Sequence, residues 1–470
     1  MHWKTRHIHF VGIGGIGMSG IAELLLNLGY KVSGSDLNSS AITKKLEGLG
    51  GTIYKGHKSD WIEGADVVVT SSAISPDNPE VTRARETSVP VIQRAEMLAE
   101  LMRLQKYGIA IAGSHGKTST TAMVSWMLAN AGLDPTVVIG GKVDALGGNA
   151  KLGQGEFLVA EADESDGSFL KLSPVLEVVT NIDLEHLDYY RDIDHIKETF
   201  LDFIDKVPFY GAAIVCLDDE NVADILPGIR KRVITYGLTP QADVYGENLF
   251  YDNGRVHFTV RQSGEKLGDL SIAPPGNHNV YNGLAAVCVG LELQMEFGKI
   301  KAGLESFAGV QRRMQKKGEV GGITVVDDYG HHPTEIRATL SAIKQAWPDK
   351  RLVVLFQPHR YTRTKALFRE FQTCFHQADL LVMTEIYAAS EKPLEGISGK
   401  KLLEATRKHG QKHVLYMPQV TTMAGELLPH LEQGDLVLTL GAGNIVNVGE
   451  ELVEALEGIN DRAMRAGHAG

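Results

Sequence analysis

Gly108-Ile109-Ala110-Ile111-Ala112-Gly113-Ser114-His115-Gly116-Lys117-Thr118 is the stretch on which the fold turns. Its first five residues are small or apolar, as in a strand buried on both faces of a parallel sheet. Ser119 to Ala131 then carries a helical pattern closed by Gly132, so the segment predicts strand, loop and helix. A glycine-rich loop in that setting aims backbone N–H groups at an anion, adds the positive end of a helix dipole, and carries a lysine that reaches outer phosphates. Gly113, Ser114, His115, Gly116, Lys117, Thr118 and Ser119 are therefore candidate ATP contacts, with the Thr118 hydroxyl directed at magnesium. The strict phosphate-loop pattern is broken, because it asks for glycine where Ile111 stands. The strand before and the helix after carry the reading instead.

A second glycine loop lies upstream. Strand His7 to Val11 runs into Gly12-Ile13-Gly14-Gly15-Ile16-Gly17, followed by helix Met18 to Leu28 and strand Lys31 to Gly34, which ends at Asp36. GxGxxG with an acid at the end of the next strand is the dinucleotide fingerprint, yet it reports only that a diphosphate can approach a helix N-terminus. A UDP-linked substrate meets that description as well as a nicotinamide cofactor does. A dehydrogenase has no use for the second, triphosphate-type loop.

Strand–helix alternation continues on both sides. Apolar runs at Phe157 to Ala160, Val175 to Thr180 and Ala212 to Leu217 predict buried strands, and Tyr245 to Pro275 predicts a small antiparallel addition with turns at Asp252-Asn253-Gly254 and Ser263-Gly264. Helix Tyr281 to Glu292 follows. A third α/β rhythm comprises strand Ile323 to Asp327, helix Pro333 to Trp347, strand Arg351 to Phe356, helix Lys365 to Gln377, and strands Leu380 to Thr384 and Leu436 to Leu440. Boundaries fall near Lys106 and Gln311, and the tail after Gly458 is expected to fray. At 470 residues, two or three domains are expected.

Chemistry-bearing residues gather at predicted strand ends. Glu161-Ala162-Asp163-Glu164-Ser165-Asp166 follows one strand, with Glu161 the candidate magnesium ligand and Asp163, Glu164 and Asp166 each either part of the site or a solvated face. Asn181 to Asp188 follows the next, where His186 is either a second metal ligand or a structural histidine. Gly276 to Asn282 opens a helix whose amides can cap it or reach an adenine edge. Arg312 and Arg313 sit at the second boundary. Asp327 to Pro333 and His359-Arg360-Tyr361-Thr362-Arg363 end strands of the third domain, where arginine forks suit carboxylate and phosphate.

The formal net charge of -11 argues against nucleic acid or an anionic membrane as partner. Cys216, Cys288 and Cys374 are too few and too far apart for a disulfide framework or a zinc site. Without a signal-peptide pattern or a membrane-spanning apolar run, a cytoplasmic protein is expected.

Taken in order, the Gly12 to Gly20 and Gly113 to Thr118 loops, the Glu161 segment, His186, His278-Asn279-Val280-Tyr281-Asn282, Asp327 to Glu335 and His359 to Thr364 resemble the Mur ligases. The resemblance implies an α/β fold of three domains: a Rossmann-like UDP-binding domain (1–106), a central P-loop ATPase-type α/β domain with the antiparallel addition (107–311), and a Rossmann-like C-terminal domain (312–470) for the amino acid and ADP-ribose. It implies ATP-dependent joining of L-alanine to the carboxylate of UDP-N-acetylmuramate through an acyl phosphate, with Mg2+, or Mn2+ in its place, by a monomer or weak homodimer. Carried over residue by residue, Gly12, Gly14, Gly15, Gly17, Met18, Ser19, Asp36, Ser71 and Ser72 contact the UDP substrate. Lys117 holds the β- and γ-phosphates, Thr118 and Glu161 bind one metal and His186 the second. His278, Asn279 and Asn282 contact adenine, Arg313 phosphate and Asp328 ribose, while Tyr329, His331, His359, Arg360 and Arg363 shape the alanine and carboxylate site. Lys117, Glu161, His186 and Arg360 form the catalytic set. No residue is assigned to the carbamylated lysine of some relatives, which leaves the completion of the second metal site open. The rivals are a family member joining a tripeptide to the same UDP-sugar, a nicotinamide-dependent dehydrogenase, and a non-catalytic nucleotide sensor.

Overall fold

The computed structural model describes residues 5–71, 73–143, 148–186, 189–252 and 254–467, with the side chains of 142–143 and 462–467 left aside. Ser72 and Asn253 lie outside the described residues.

The first sheet is parallel and runs in the order Thr52–Lys55, Lys31–Asp36, His7–Val11, Val67–Thr70, Val91–Gln93. On one face Ile8 and Phe10 join Ile21, Leu24 and Leu25 of helix Ile16–Asn27. On the other, Val11 and Val68 join Val81 and Ala84 of helix Pro79–Glu86. Strand order reverses beside His7–Val11, so the Gly12 loop and the segment beginning at Ser71 flank the switch point where ligands bind in such folds.

The second sheet has ten strands. Strand Tyr107–Ala112 lies between Phe157–Glu161 and Leu176–Val179, parallel to both. The 113–118 loop, Glu161 and the segment after Val179 therefore emerge from the same edge. Ile109, Ile111, Val178 and Ile214 are fully buried, each contributing on the order of 1.5–3 kcal/mol. This core anchors the loops above it. The expected addition extends the same sheet as Val244–Asp252, Arg255–Gln262 and Glu265–Ile272.

The third sheet runs Gln315–Val320, Ile323–Asp328, Leu436–Leu440, Leu352–Phe356, Leu380–Met383, Val414–Tyr416, with only the first strand antiparallel to its neighbour. Helix Pro333–Ala346 begins with proline at its first position and a capping box in which the Glu335 carboxylate accepts from His332 N. Two expectations fail here. The helix predicted over Lys365 to Gln377 is two short pieces, Tyr361–Ala366 and Phe368–Phe371, because Leu367 leaves the helical region at φ -105°, ψ 23°. Of the tail expected to fray after Gly458, residues 468–470 lie outside the described residues and 459–467 continue helix Val446–Gly467. Val448, Leu452 and Leu456 dock its upstream part on Val325 and Val437, and an anchored helix propagates without a new nucleation cost.

Contacts group the chain into two compact units. One comprises the chain up to Leu249 with Phe258–Ile272 and Tyr281–Val310, and the other Phe250–His257, Ala273–Val280 and everything from Gln311. The first unit contains the first sheet and most of the second. All three cysteines are buried and free. No helix among the described residues is long and apolar enough to cross a membrane.

Candidate active site

The 113–118 loop is tied to the segment after strand Leu176–Val179. Thr180 Oγ1 donates to His115 O (2.6 Å), His115 N to Asn181 Oδ1 (2.8 Å) and Asp183 N to Ser114 Oγ (2.8 Å). His115 Nε2 lies 3.1 Å from Asp183 Oδ2. The side chains of Ser114 and His115 thus brace the loop, and their backbone N–H groups donate to Asn181. Gly113 has φ +129°, and a Cβ there would stand 2.1 Å from Thr180 Oγ1; no side chain fits. Asn282 backs the loop, accepting from Thr120 Oγ1 at 3.0 Å. Ser119 lies in the first turn of helix Lys117–Asn130.

Lys117 folds over its own loop. Its ammonium donates to Gly113 O (2.6 Å) and Ser114 O (3.1 Å) and lies 2.8 Å from the Glu164 carboxylate. Burial opposes the charge, yet Glu164, Asp163 and Glu161 outweigh it and hold the pKa above the ordinary lysine value. Glu164, for which the sequence left a site role and a solvated face open, has a side chain 2% exposed. Lys117 on one side and His186 Nε2, 3.4 Å away, on the other compensate its burial.

Thr118 Oγ1 lies 3.2 and 3.1 Å from the Glu161 carboxylate oxygens, a hard-oxygen pair suited to magnesium. Gly140 N donates to Glu161 Oε2 at 2.8 Å, and burial pushes the Glu161 carboxyl above its ordinary pKa. Glu164, Glu185 and His186 bring ligand atoms within 4.8 Å of one another. His186 stands at φ +54°, a strained conformation of the kind found at ligand sites. Burial works against its protonation, but the hydrogen bond and charge of Glu164 and the charge of Glu185 prevail and raise its pKa.

The first loop closes one end of a cleft of about 520 Å3. Gly12 N and Ile13 N donate to Ser35 O (2.8 and 3.0 Å), and Gly14 N donates to Asp36 Oδ2 (2.9 Å). A Cβ on Gly14 would lie 2.8 Å from that oxygen. Gly12, Gly15, Gly17, Met18, Asp36 and Ser71 line the cleft; Ser19 does not, being buried with its hydroxyl on Ile16 O at 3.0 Å. The same cleft is lined by Glu161, Asp163 and Gly140 from the second sheet. Arg94 Nη2 donates to Asp163 Oδ2 at 3.1 Å, and Asn149 Nδ2 to Ile16 O at 2.7 Å. One depression therefore joins the first glycine loop to the acids beside the second. Arg94 and His57, both lining it, were missed, because nothing local in the sequence marks them.

In the second unit, the Arg312 and Arg313 guanidiniums lie 4.9 and 5.4 Å from the centre of the Tyr329 ring. Arg312 pairs with Asp327 at 3.2 Å and Arg313 with Glu335 at 3.4 Å. The Asp328 carboxylate accepts from Met314 N and Gly330 N, both at 2.8 Å, and burial raises its pKa to about 6. Its oxygens thus already organise two turns. The His331 and His359 rings lie 5.9 Å apart; burial depresses them to about 3 and about 4, with Arg363 adding to both. Arg363 Nη1 lies 3.1 Å from His359 Nδ1, and Arg360 sits at φ +68° with its backbone N–H on Tyr387 O at 2.9 Å. Tyr329 and His331 follow strand Ile323–Asp328, and His359, Arg360 and Arg363 follow strand Leu352–Phe356, with Leu436–Leu440 between the two strands. His278 falls in this unit too, its pKa lowered to about 4 by burial and by Arg313, and Asn279 Nδ2 donates to Pro275 O at 3.2 Å. Asn282 belongs to the other unit.

Residues 7–106 match the family model described as Mur ligase family, catalytic domain, residues 111–290 the Mur ligase middle domain, and residues 312–443 the Mur ligase, glutamate ligase domain. The chain is 69% identical over 456 residues to the UDP-N-acetylmuramate–L-alanine ligase of Desulfotalea psychrophila, covering 97% of this chain and 99% of that one. It is 58% identical over 458 residues to that of Geobacter sulfurreducens, with 97% and 99% covered. The solved UDP-N-acetylmuramate-alanine ligase of Thermotoga maritima is similar with a TM-score of 0.81 at 30% identity, covering 96% of this chain and 99% of that one. A murein peptide ligase of Psychrobacter arcticus is similar with a TM-score of 0.69 at 25% identity, covering 96% and 98%.

Proposed function

The chain belongs to the Mur ligase family, and we propose that it joins L-alanine to UDP-N-acetylmuramate using the two glycine loops of its first unit. It is an ATP-dependent ligase acting in peptidoglycan precursor synthesis. The observation that carries the site assignment is the single cleft lined by both the Gly12 loop and Glu161. A UDP-linked acid lying along it extends from one loop toward the metal-binding acids beside the other.

The substrate carboxylate attacks the γ-phosphorus of ATP. A carboxyl O–P bond forms, the bond to the bridging oxygen breaks, and ADP leaves. The amine of L-alanine then attacks the acyl carbon, the C–O bond to phosphate breaks, and the new amide nitrogen gives up a proton. Phosphorylation is needed because oxide is a poor leaving group and phosphate a good one. Lys117, freed from Glu164, holds the outer phosphates. Magnesium on Thr118 and Glu161, with a second ion on His186, Glu164 and Glu185, would neutralise charge spreading over the transferred phosphoryl group. Manganese suits the same ligand types. Tyr329, His331, His359, Arg360 and Arg363 receive the amino acid and the carboxylate; Arg313 and Asp328, with the amides of 278–282, serve the nucleotide. Domain boundaries at 106/107 and 311/312, a cytoplasmic location and a monomer or weak homodimer complete the reading.

Phosphate release tests it. Purified protein with ATP, magnesium, UDP-N-acetylmuramate and L-alanine should release phosphate only when all four are present. Turnover that requires a tripeptide in place of L-alanine, or oxidation of a nicotinamide without phosphate release, would overturn it.

A further inference from the structure

The first sheet has an anomalous face. Ile8, Phe10 and Val32 make one side an ordinary apolar surface. The other buries His7, His9, Ser33 and Ser35 beneath helix Pro79–Glu86, whose Glu80 is 0% exposed. A carboxylate so placed costs several kcal/mol unless donors surround it. Glu80 Oε1 accepts from Lys58 N at 3.1 Å, Oε2 accepts from Ser35 Oγ at 2.5 Å, and His9 Nε2 and His57 Nδ1 lie 3.4 and 3.6 Å from Oε2. The helix N-terminus adds its positive end, since Glu80 lies in the first turn.

Every partner on one side of Glu80 leads to the cleft. His57 lines it and lies 2.9 Å from Ser35 Oγ. Because that hydroxyl donates to Glu80, it accepts from His57 Nδ1–H, which sets the tautomer and leaves Nε2 as an acceptor when the ring is neutral. Ser35 O receives Gly12 N and Ile13 N, and the next residue is Asp36. One carboxylate thus orders the 57–58 segment, the imidazole, and the strand end on which the glycine loop rests.

We propose that Glu80 is a positioning residue for the UDP-bearing substrate, holding His57 and the end of strand Lys31–Asp36 so that the cleft wall is set before the substrate arrives. This rests on the cleft being the UDP-substrate site.

Initial-rate kinetics of the full-length protein test both. Glu80→Gln keeps the shape and removes the charge; the KM for UDP-N-acetylmuramate should rise about tenfold, with kcat and the KM values for ATP and L-alanine within about twofold. His57→Ala should raise the same KM, and the double variant should add little to it. An unchanged KM in folded Glu80→Gln, a rise in all three KM values together, or full additivity in the double variant overturns the proposal. Should Glu80→Gln fail to fold, Ser35→Ala removes the intervening hydroxyl and must produce the same selective rise; no rise overturns the proposal. Calorimetry with UDP separates the two levels. If Asp36→Ala leaves UDP affinity unchanged, the cleft assignment itself fails. If Asp36→Ala weakens UDP while Glu80→Gln does not alter the substrate KM, only the role of Glu80 fails.

Discussion

The two glycine loops use the same backbone device under different electrostatic conditions. Each leaves a buried parallel strand, turns through glycine and opens a helix, so each offers N–H groups to an anion. Around the first, the acid Asp36 is engaged by Gly14 N, while Arg94 and His57 line the cleft. Around the second, Glu161, Asp163 and Glu164 crowd a single lysine, and Glu185 lies beside Glu164. A diphosphate can approach the first on backbone N–H groups and nearby basic side chains. A triphosphate approaching the second meets four carboxylates, which repel it unless cations intervene. The proposed division of labour between the loops rests on what surrounds them.

The largest expected effect lies at the second loop. Lys117→Ala should lower the rate of phosphate release by about a thousandfold, with calorimetric affinity for UDP-N-acetylmuramate within about twofold of wild type. Equal losses in turnover and in UDP-substrate affinity would break the contrast. Glu161→Gln should raise the magnesium concentration giving half-maximal phosphate release by about a hundredfold; a magnesium titration reads it, and an unchanged midpoint would remove Glu161 from the metal site. Asp36→Ala should raise the KM for UDP-N-acetylmuramate about tenfold at unchanged kcat, the mirror image of the lysine variant.

Smallest is a pH effect confined to the second loop. Burial raises the Glu161 carboxyl above its ordinary value of 4.5, so the proton competes with magnesium at a higher pH than for a free glutamate. The half-maximal magnesium concentration should rise several-fold as pH falls from about 7 to about 5. Glu161→Gln should flatten that component of the profile. A wild-type magnesium requirement independent of pH would contradict it.

Much of this was legible along the chain because phosphate cradles are local. The strand His7–Val11 was predicted with its observed bounds, and the strands Tyr107–Ala112 and Phe157–Glu161 to within a residue. Both glycine loops followed from their spacing and setting. Glu164 stayed open because an acidic run resembles a solvated face; Lys117 and His186, 47 and 22 residues away, bury it only when three strand ends converge. Arg94, His57 and Glu80 carry no pattern at all. The break at Leu367 depends on backbone angles that a run of good helix formers does not reveal.

The sequence by itself determined which segments become strands, which loops can cradle phosphate, and which family's order of motifs the chain follows, since those properties depend on neighbours within a few residues. Only the tertiary structure decided that the first loop and Glu161 line one cleft, that Glu164 is buried between a lysine and a histidine, and that a carboxylate lies sealed beneath the first sheet. Charge and burial depend on distance through space, and the fold alone fixes which distant residues share it.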